Sequence, residues 1–251
     1  MPDLAWNKAT WDGAYDWSGR GHEWSGPWGG SAGMFFATVM PRLGGALPAE
    51  SLLELAPGHG RVTAFLLRFC RRYRGVDLSE QCVTYCRQRF AFRADAAFMA
   101  NDGLSLAAVA QERFDLVVSF DSLVHADLPV FEAYVPQILA LLKPGGVAFL
   151  HHSNLAAYPE VAEFQHRSNS VSAARVAGLV DHHGGRVLVQ EVFNGGPGVG
   201  YDCFTLFGRE ADHAGVEPRM IFNPGLMGRE GELSRESFAA YLRVMPGDLT
   251  A

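Results

Sequence analysis

Ser51-Leu-Leu-Glu-Leu-Ala-Pro-Gly-His-Gly60 is the stretch whose reading decides the fold. Its apolar first half, 51–56, predicts a short strand. The helix expected over 62–72 then places 57–60 in a tight strand-to-helix turn. Glycine belongs in such a turn where a ligand must approach the backbone closely. A dinucleotide site would show a fuller GxGxxG with a pyrophosphate on the helix N-terminus. Here Ala56 stands in the first glycine position, Thr63 in the third, and an acidic residue, Glu54, opens the motif. That spacing makes a nicotinamide oxidoreductase a poor reading.

Strands and helices alternate outward from this turn. Upstream, Ser31 predicts a helix over 31–39 that ends before Pro41. Downstream, a strand over 73–76 ends at Asp77, and Ser79 caps a helix to about residue 89. Strands follow near 97–99 and 114–120, the latter a near-continuous apolar run suited to burial on both faces. A helix over 130–142 leads through Lys143-Pro-Gly-Gly146 to a strand over 147–151 and a helix over 172–181. Two strands, 186–193 and 202–207, close the pattern around a glycine-rich turn. The expected fold is α/β: a seven-stranded, mostly parallel sheet over residues 31–208, helices on both faces, the last strand antiparallel.

Two segments stand outside that pattern. All five tryptophans (Trp6, Trp11, Trp17, Trp24, Trp28) fall in residues 1–30, at a spacing that matches neither a helix face nor a strand. This predicts an irregular arm or lid. Residues 209–251 read as a C-terminal extension with turn signals at Pro218 and Pro224, one short helix carrying Phe238, Tyr241 and Leu242, and scope for docking on a second subunit.

Composition bounds the function. The chain has 251 residues, 48% hydrophobic and 19% charged, which is globular composition. A net charge of −6 argues against a nucleic-acid partner, which needs a basic face. Arg68, Arg71, Arg72 and Arg74, expected at a helix end, read as a solvated face, and so does His182-His183. No apolar run reaches the roughly 20 residues of a membrane span, and no signal peptide is visible. Cys70, Cys82, Cys86 and Cys203 fit neither a disulfide framework nor a metal knuckle. The expected setting is reduced and cytoplasmic.

The acidic glycine turn, with Asp77 closing the next strand 19 residues after Gly58, resembles the class I S-adenosylmethionine-dependent methyltransferases. Asn101-Asp-Gly103, the 114–121 strand and the 142–146 turn match that family in order. The resemblance implies a Rossmann-like fold and a cofactor site of Glu54, Ala56, Gly58, Gly60, Asp77, Leu78, Asn101, Asp102 and Gly103. Asp77 would accept both ribose hydroxyls, and Asp102 the adenine amino group.

In this architecture the reacting groups sit beyond the carboxyl ends of the strands. The clusters there are Asp121-Ser-Leu-Val-His125 and His151-His-Ser-Asn154. Alternation places His151 and His152 on opposite faces, so one of the two meets substrate; His152 is the first candidate base and His125 the second. Asp121 could orient a histidine, contact the cofactor or take part in a divalent metal site.

The runs around Tyr15, Asp121 and His151 resemble a narrower group, the sugar O-methyltransferases of mycobacterial polymethylated polysaccharide biosynthesis. That resemblance implies an oligosaccharide or other small-molecule acceptor held by Tyr15, Trp17, Trp24, Trp28, His151 and Asn154. A natural-product methyltransferase, metal-assisted transfer and a non-catalytic binding module are the rival readings.

Overall fold

The computed structural model describes residues 2–161, 166–194 and 200–238, Phe238 by its backbone alone. The centre of the glycine-rich turn (195–199) and the side chains of Phe238, Tyr241 and Leu242 lie outside this description. Among the described residues the sheet has eight strands, one more than the pattern predicts. They are β1 (Ala49–Leu55), β2 (Cys70–Asp77), β3 (Ala96–Ala100), β4 (Phe114–Ser119), β5 (Leu142–Ser153), β6 (Gly185–Phe193), β7 (Asp202–Arg209) and β8 (Arg219–Phe222). Their order is β3-β2-β1-β4-β5-β7-β6-β8. Only β7 runs against its neighbours. It lies inside the sheet rather than at its end, between β5 and β6, and β8 from the C-terminal extension pairs in parallel with β6 to form the edge.

The strands alternate as a doubly covered sheet requires. Leu52, Leu116, Val118 and Phe149 join one core with Phe35, Phe65 and the inner face of α5 (Glu80–Arg89), which follows α1 (Leu4–Ala9), α2 (Ser31–Met34), α3 (Met40–Leu43) and α4 (Thr63–Leu66) along the chain. Leu53, Val117, Ala148 and Leu150 join the other with α6 (Leu128–Leu141) and α7 (Ala173–His182). All four cysteines are buried and free.

Several boundaries differ from the sequence pattern for physical reasons. The helix from Ser31 continues through Pro41 to Leu43, because a wider π-turn at Phe35–Val39 leaves Pro41 in the first turn of a new helical segment, where a missing N–H is tolerated. The helix after the glycine turn is only Thr63–Leu66, since Cys70 already pairs with Ala49. Arg71, Arg72 and Arg74 thus lie on β2 and pair with Glu50 and Glu112.

The N-terminal arm is helical rather than irregular. A first helix (Leu4–Ala9) runs into a π-turn (Thr10–Ala14), followed by 3-10 turns at Trp17–Gly19 and His22–Trp28. The change of winding erases any 3.6-residue spacing of the tryptophans.

The C-terminal extension is bound into the body. Arg42 donates to Glu191 on β6 (2.7 and 2.9 Å) and to Glu230 on the helix Leu226–Leu233 (2.9 Å). Arg42→Leu strands two largely buried carboxylates and is expected to cost about 3 kcal/mol. Urea denaturation of the two proteins measures it.

No helix of the described residues is long and apolar enough to cross a membrane.

Candidate active site

The strand order reverses between β1 and β4, and a cavity opens at their carboxyl ends. Both strands end in a left-handed residue that is not glycine: Ala56 at φ 54° and Asp121 at φ 60°. Such backbone is costly and is held here by its partners. Ser122 Oγ donates to the Ala56 carbonyl (2.8 Å), Asp121 N–H donates to His151 Nδ1 (3.1 Å), and Arg61 donates to the Asp121 carboxylate (2.6 Å).

Glu54, Ala56, Gly58, Asp77, Leu78 and Gly103 line this first cavity. Gly58, at φ 57°, brings bare backbone to it, and a Cβ there would stand 3.0 Å from Trp17 of the arm. Gly60 lies outside the lining. A Cβ there would collide with Phe90, so this glycine serves packing against the α5 side.

Asp77 Oδ2 accepts from Gly58 N–H and Oδ1 from Ser79 N–H, both at 2.9 Å. Each carboxylate oxygen has a second acceptor site, so the group can still take two ligand hydroxyls. Burial raises its pKa to about 6 against the pull of those N–H groups. Burial also raises Glu54 to about 7, although Tyr73 and Thr63 both donate to Oε2 (2.5 and 2.7 Å).

His59 completes the lining, stacked between Tyr85 (3.9 Å) and Trp17 (4.4 Å). Both of its ring nitrogens are buried without a hydrogen-bond partner. Orphaned polar atoms beside a glycine cradle and a carboxylate with spare acceptor sites fit a polar cofactor such as S-adenosylmethionine.

Asn101 and Asp102 do not face this cavity. Asp102 Oδ1 accepts from Leu104 N–H and Ser105 N–H, an ordinary turn role at the surface. Asn101 bonds Gly103 N–H, Ser105 O and the Tyr134 hydroxyl.

A second cavity of about 560 Å³ adjoins the first, and both are lined by Trp11, Trp24, Phe120, Asp121 and His125. Trp6, Tyr15, His151, Phe193 and Phe204 extend the second one. Its aromatic faces and a few convergent polar groups are typical of a small-molecule site.

Hydrogen-bond partners assign the three candidate histidines. His152, the first candidate base, is fully buried and points to the opposite face. Its Nδ1 bonds the Ser153 carbonyl (2.8 Å) and its Nε2 bonds the Thr205 hydroxyl (2.7 Å), so no nitrogen is left for chemistry. The alternation of the two histidines holds, but the arm covers the His151 side.

Burial lowers His152 to about 4. The unfolded chain then binds its proton first on acidification, and stability is lost as pH falls from 6.5 towards 4. Between pH 7 and pH 5 this removes about 2 kcal/mol. Denaturation curves at the two pH values should show a correspondingly smaller loss in His152→Gln.

His125 stands where the cavities meet. Its Nδ1 lies 2.9 Å from the His166 carbonyl, which can only accept, so Nδ1 carries the proton and the Nε2 lone pair is available. Burial lowers its pKa, outweighing the carbonyl bond, and favours the neutral ring.

Two further expected substrate residues are structural. Trp28 is a core side chain whose Nε1 donates to Thr38 (2.8 Å), and it reaches the second cavity only as part of its wall. Asn154 is buried, donating to Gly200 O and accepting from Ala173 N–H. Trp17 lines the first cavity, Trp24 both, and Tyr15 the second, where its hydroxyl donates to Glu23.

Sequence reasoning missed Arg61, whose guanidinium is buried over Trp24 (5.5 Å). A charged residue directly after the glycine turn was the available signal. It also missed Asp12, which accepts from Ser79 Oγ and Gln81 N–H and ties the arm to α5. Among the described residues no group of three or more His, Cys, Asp or Glu side chains is placed to hold a metal. The Asp121 carboxylate is instead paired with Arg61.

Residues 52–146 match the family model described as a methyltransferase domain. Solved structures share the fold. N-methyltransferase NodS from Bradyrhizobium japonicum WM9 is 18% identical, covering 68% of this chain and 93% of its own, at a TM-score of 0.54. An S-adenosylmethionine-dependent methyltransferase from Clostridium acetobutylicum ATCC 824 is 15% identical, covering 72% and 90%, at 0.56. The glycopeptide N-methyltransferase MtfA is 22% identical, covering 70% and 89%, at 0.53. No curated protein matches the chain. The matched segment carries the glycine turn, Asp77, Asp121 and His125, and the solved structures share its fold.

Proposed function

We propose that the chain methylates a hydroxyl of a mono- or oligosaccharide, with His125 receiving the hydroxyl proton. When bound, S-adenosylmethionine supplies an electrophilic methyl group on a sulfonium. Gly58, Leu78 and Gly103 would hold it against backbone and apolar surface, and Asp77 would accept its ribose hydroxyls. The chain's task is then alignment and proton removal.

The observation that carries the reading is His125, neutral and with its free Nε2 at the junction of the two cavities. Trp6, Trp11 and Tyr15 offer faces on which a sugar ring could stack. The expected kcat–pH profile is flat at neutral pH and falls on acidification through a pKa below 6.5, where His125 protonates. A profile that instead rises only on the alkaline side would contradict this role.

The same aromatic faces favour one other acceptor, a protonated amine of a small natural product, through cation–π attraction. Product analysis separates the two, because the methyl group ends on nitrogen rather than oxygen.

A further inference from the structure

We infer that His151 is a fixed hydrogen-bond donor that recognises a second oxygen of the acceptor, away from the one that receives the methyl group. This rests on the hydroxyl-acceptor reading above. It assigns the acceptor a chemical class, a ring bearing at least two oxygens, and gives the second cavity two ends with opposite polarity.

The Asp121 backbone N–H can only donate, and it points at His151 Nδ1 from 3.1 Å. His151 Nδ1 must therefore carry a lone pair, and the single proton of the neutral ring sits on Nε2. Neither nitrogen is then a base: one lone pair is occupied and the other nitrogen is protonated. The Asp121 N–H does not swing away easily, because the residue is held in left-handed backbone with its carboxylate on Arg61.

The Nε2 proton lacks a partner within the chain. Nε2 is buried without a hydrogen bond, and the nearest carboxylate oxygen, Asp202 Oδ2, is 3.7 Å away. Asp202 cannot simply move closer, since Arg167 grips both of its oxygens (2.6 and 2.8 Å). Burial would raise the Asp202 pKa, but the nearby His151 ring and the grip of Arg167 hold it at about 2, so it stays an anion beside Nε2. Phe120, Phe193 and Phe204 enclose the imidazole at 4.8–5.4 Å and fix its plane. His151, Arg167 and Asp202 all line the second cavity, so a ligand oxygen there can reach the N–H. A buried donor on a cavity wall is satisfied by an acceptor oxygen of the ligand. Asp202 and Arg167 act through His151 as positioning residues.

Two measurements test this on the full chain. Nitrogen-15 NMR of the histidine rings, with S-adenosylhomocysteine present and His151 assigned by its absence in His151→Gln, should show the Nε2–H tautomer. An Nδ1–H tautomer or a doubly protonated ring overturns the inference, with or without an acceptor in hand.

Kinetics with methyl α-D-mannopyranoside and methyl α-D-glucopyranoside then read the contact. His151→Leu should raise the acceptor KM about tenfold or more with little change in kcat. His151→Gln, whose amide N–H can reach the Nε2 position, should restore most of that loss. An unchanged KM in His151→Leu, or no rescue by glutamine, overturns the proposal. A wild-type chain that methylates neither glycoside contradicts the sugar reading, and the ring spectrum alone then decides the role of His151.

Discussion

Replacing His125 by alanine is expected to lower kcat by about 10²–10⁴-fold, the usual contribution of a positioned general base. The affinity for S-adenosylhomocysteine should stay within a few-fold, because the cofactor reading assigns that molecule to Asp77 and the glycine turn. The acid limb of the pH profile should vanish with the side chain. The Asn7 contact to the His125 carbonyl is a backbone bond and survives the substitution, so the arm keeps that anchor. His152→Gln is the matched control: it changes a histidine one strand away whose nitrogens are both committed to the protein, and its kcat should remain near wild type.

The other large effect concerns Asp77. On the proposed cofactor reading, Asp77→Ala removes two charge-assisted acceptors for the ribose hydroxyls, and the expected rise in Kd for S-adenosylhomocysteine is roughly 10²–10³-fold. It also frees Gly58 N–H and Ser79 N–H, which the carboxylate holds. Calorimetric titration of the two proteins measures the change. The same group makes binding pH-dependent. The carboxylate must be ionised to accept from both hydroxyls, and burial raises its pKa to about 6 in the unliganded chain. Affinity should therefore weaken as pH falls through about 6 and be flat above it.

Much of the fold was legible because it rests on local chemistry. The apolar run at 114–119, the glycine turn and the Ser79 cap each encode their element within a few residues, and the structure places them accordingly. Strand β8 was harder. It is four exposed residues between Pro218 and Pro224, too short for alternation to register, and it exists by pairing with β6. Its two flanking prolines were the readable trace.

The site divides along the same line. Asp77, Gly58 and Leu78 line the first cavity because strand-end geometry follows from the motif itself. The choice between His151 and His152 did not follow, since alternation states that neighbours oppose each other without saying which face the arm will cover. Asp102 shows the reverse problem. Two backbone N–H groups of its own turn engage its Oδ1, and a family position alone could not reveal that. Arg61, Asp12 and Asp202 act across 35 to 67 residues of sequence, so only the folded chain joins them to their partners.

The most direct test of a hydroxyl-methylating enzyme is transfer from trideuteromethyl S-adenosylmethionine to a panel of simple and partly methylated oligosaccharides. Mass spectrometry with fragmentation locates the label, with and without chelator. The account predicts one labelled methyl on a sugar oxygen, unchanged by chelator and lost in His125→Ala. A label found only on nitrogen of an amine acceptor, or no transfer to any sugar by a chain that still binds S-adenosylhomocysteine, would contradict it.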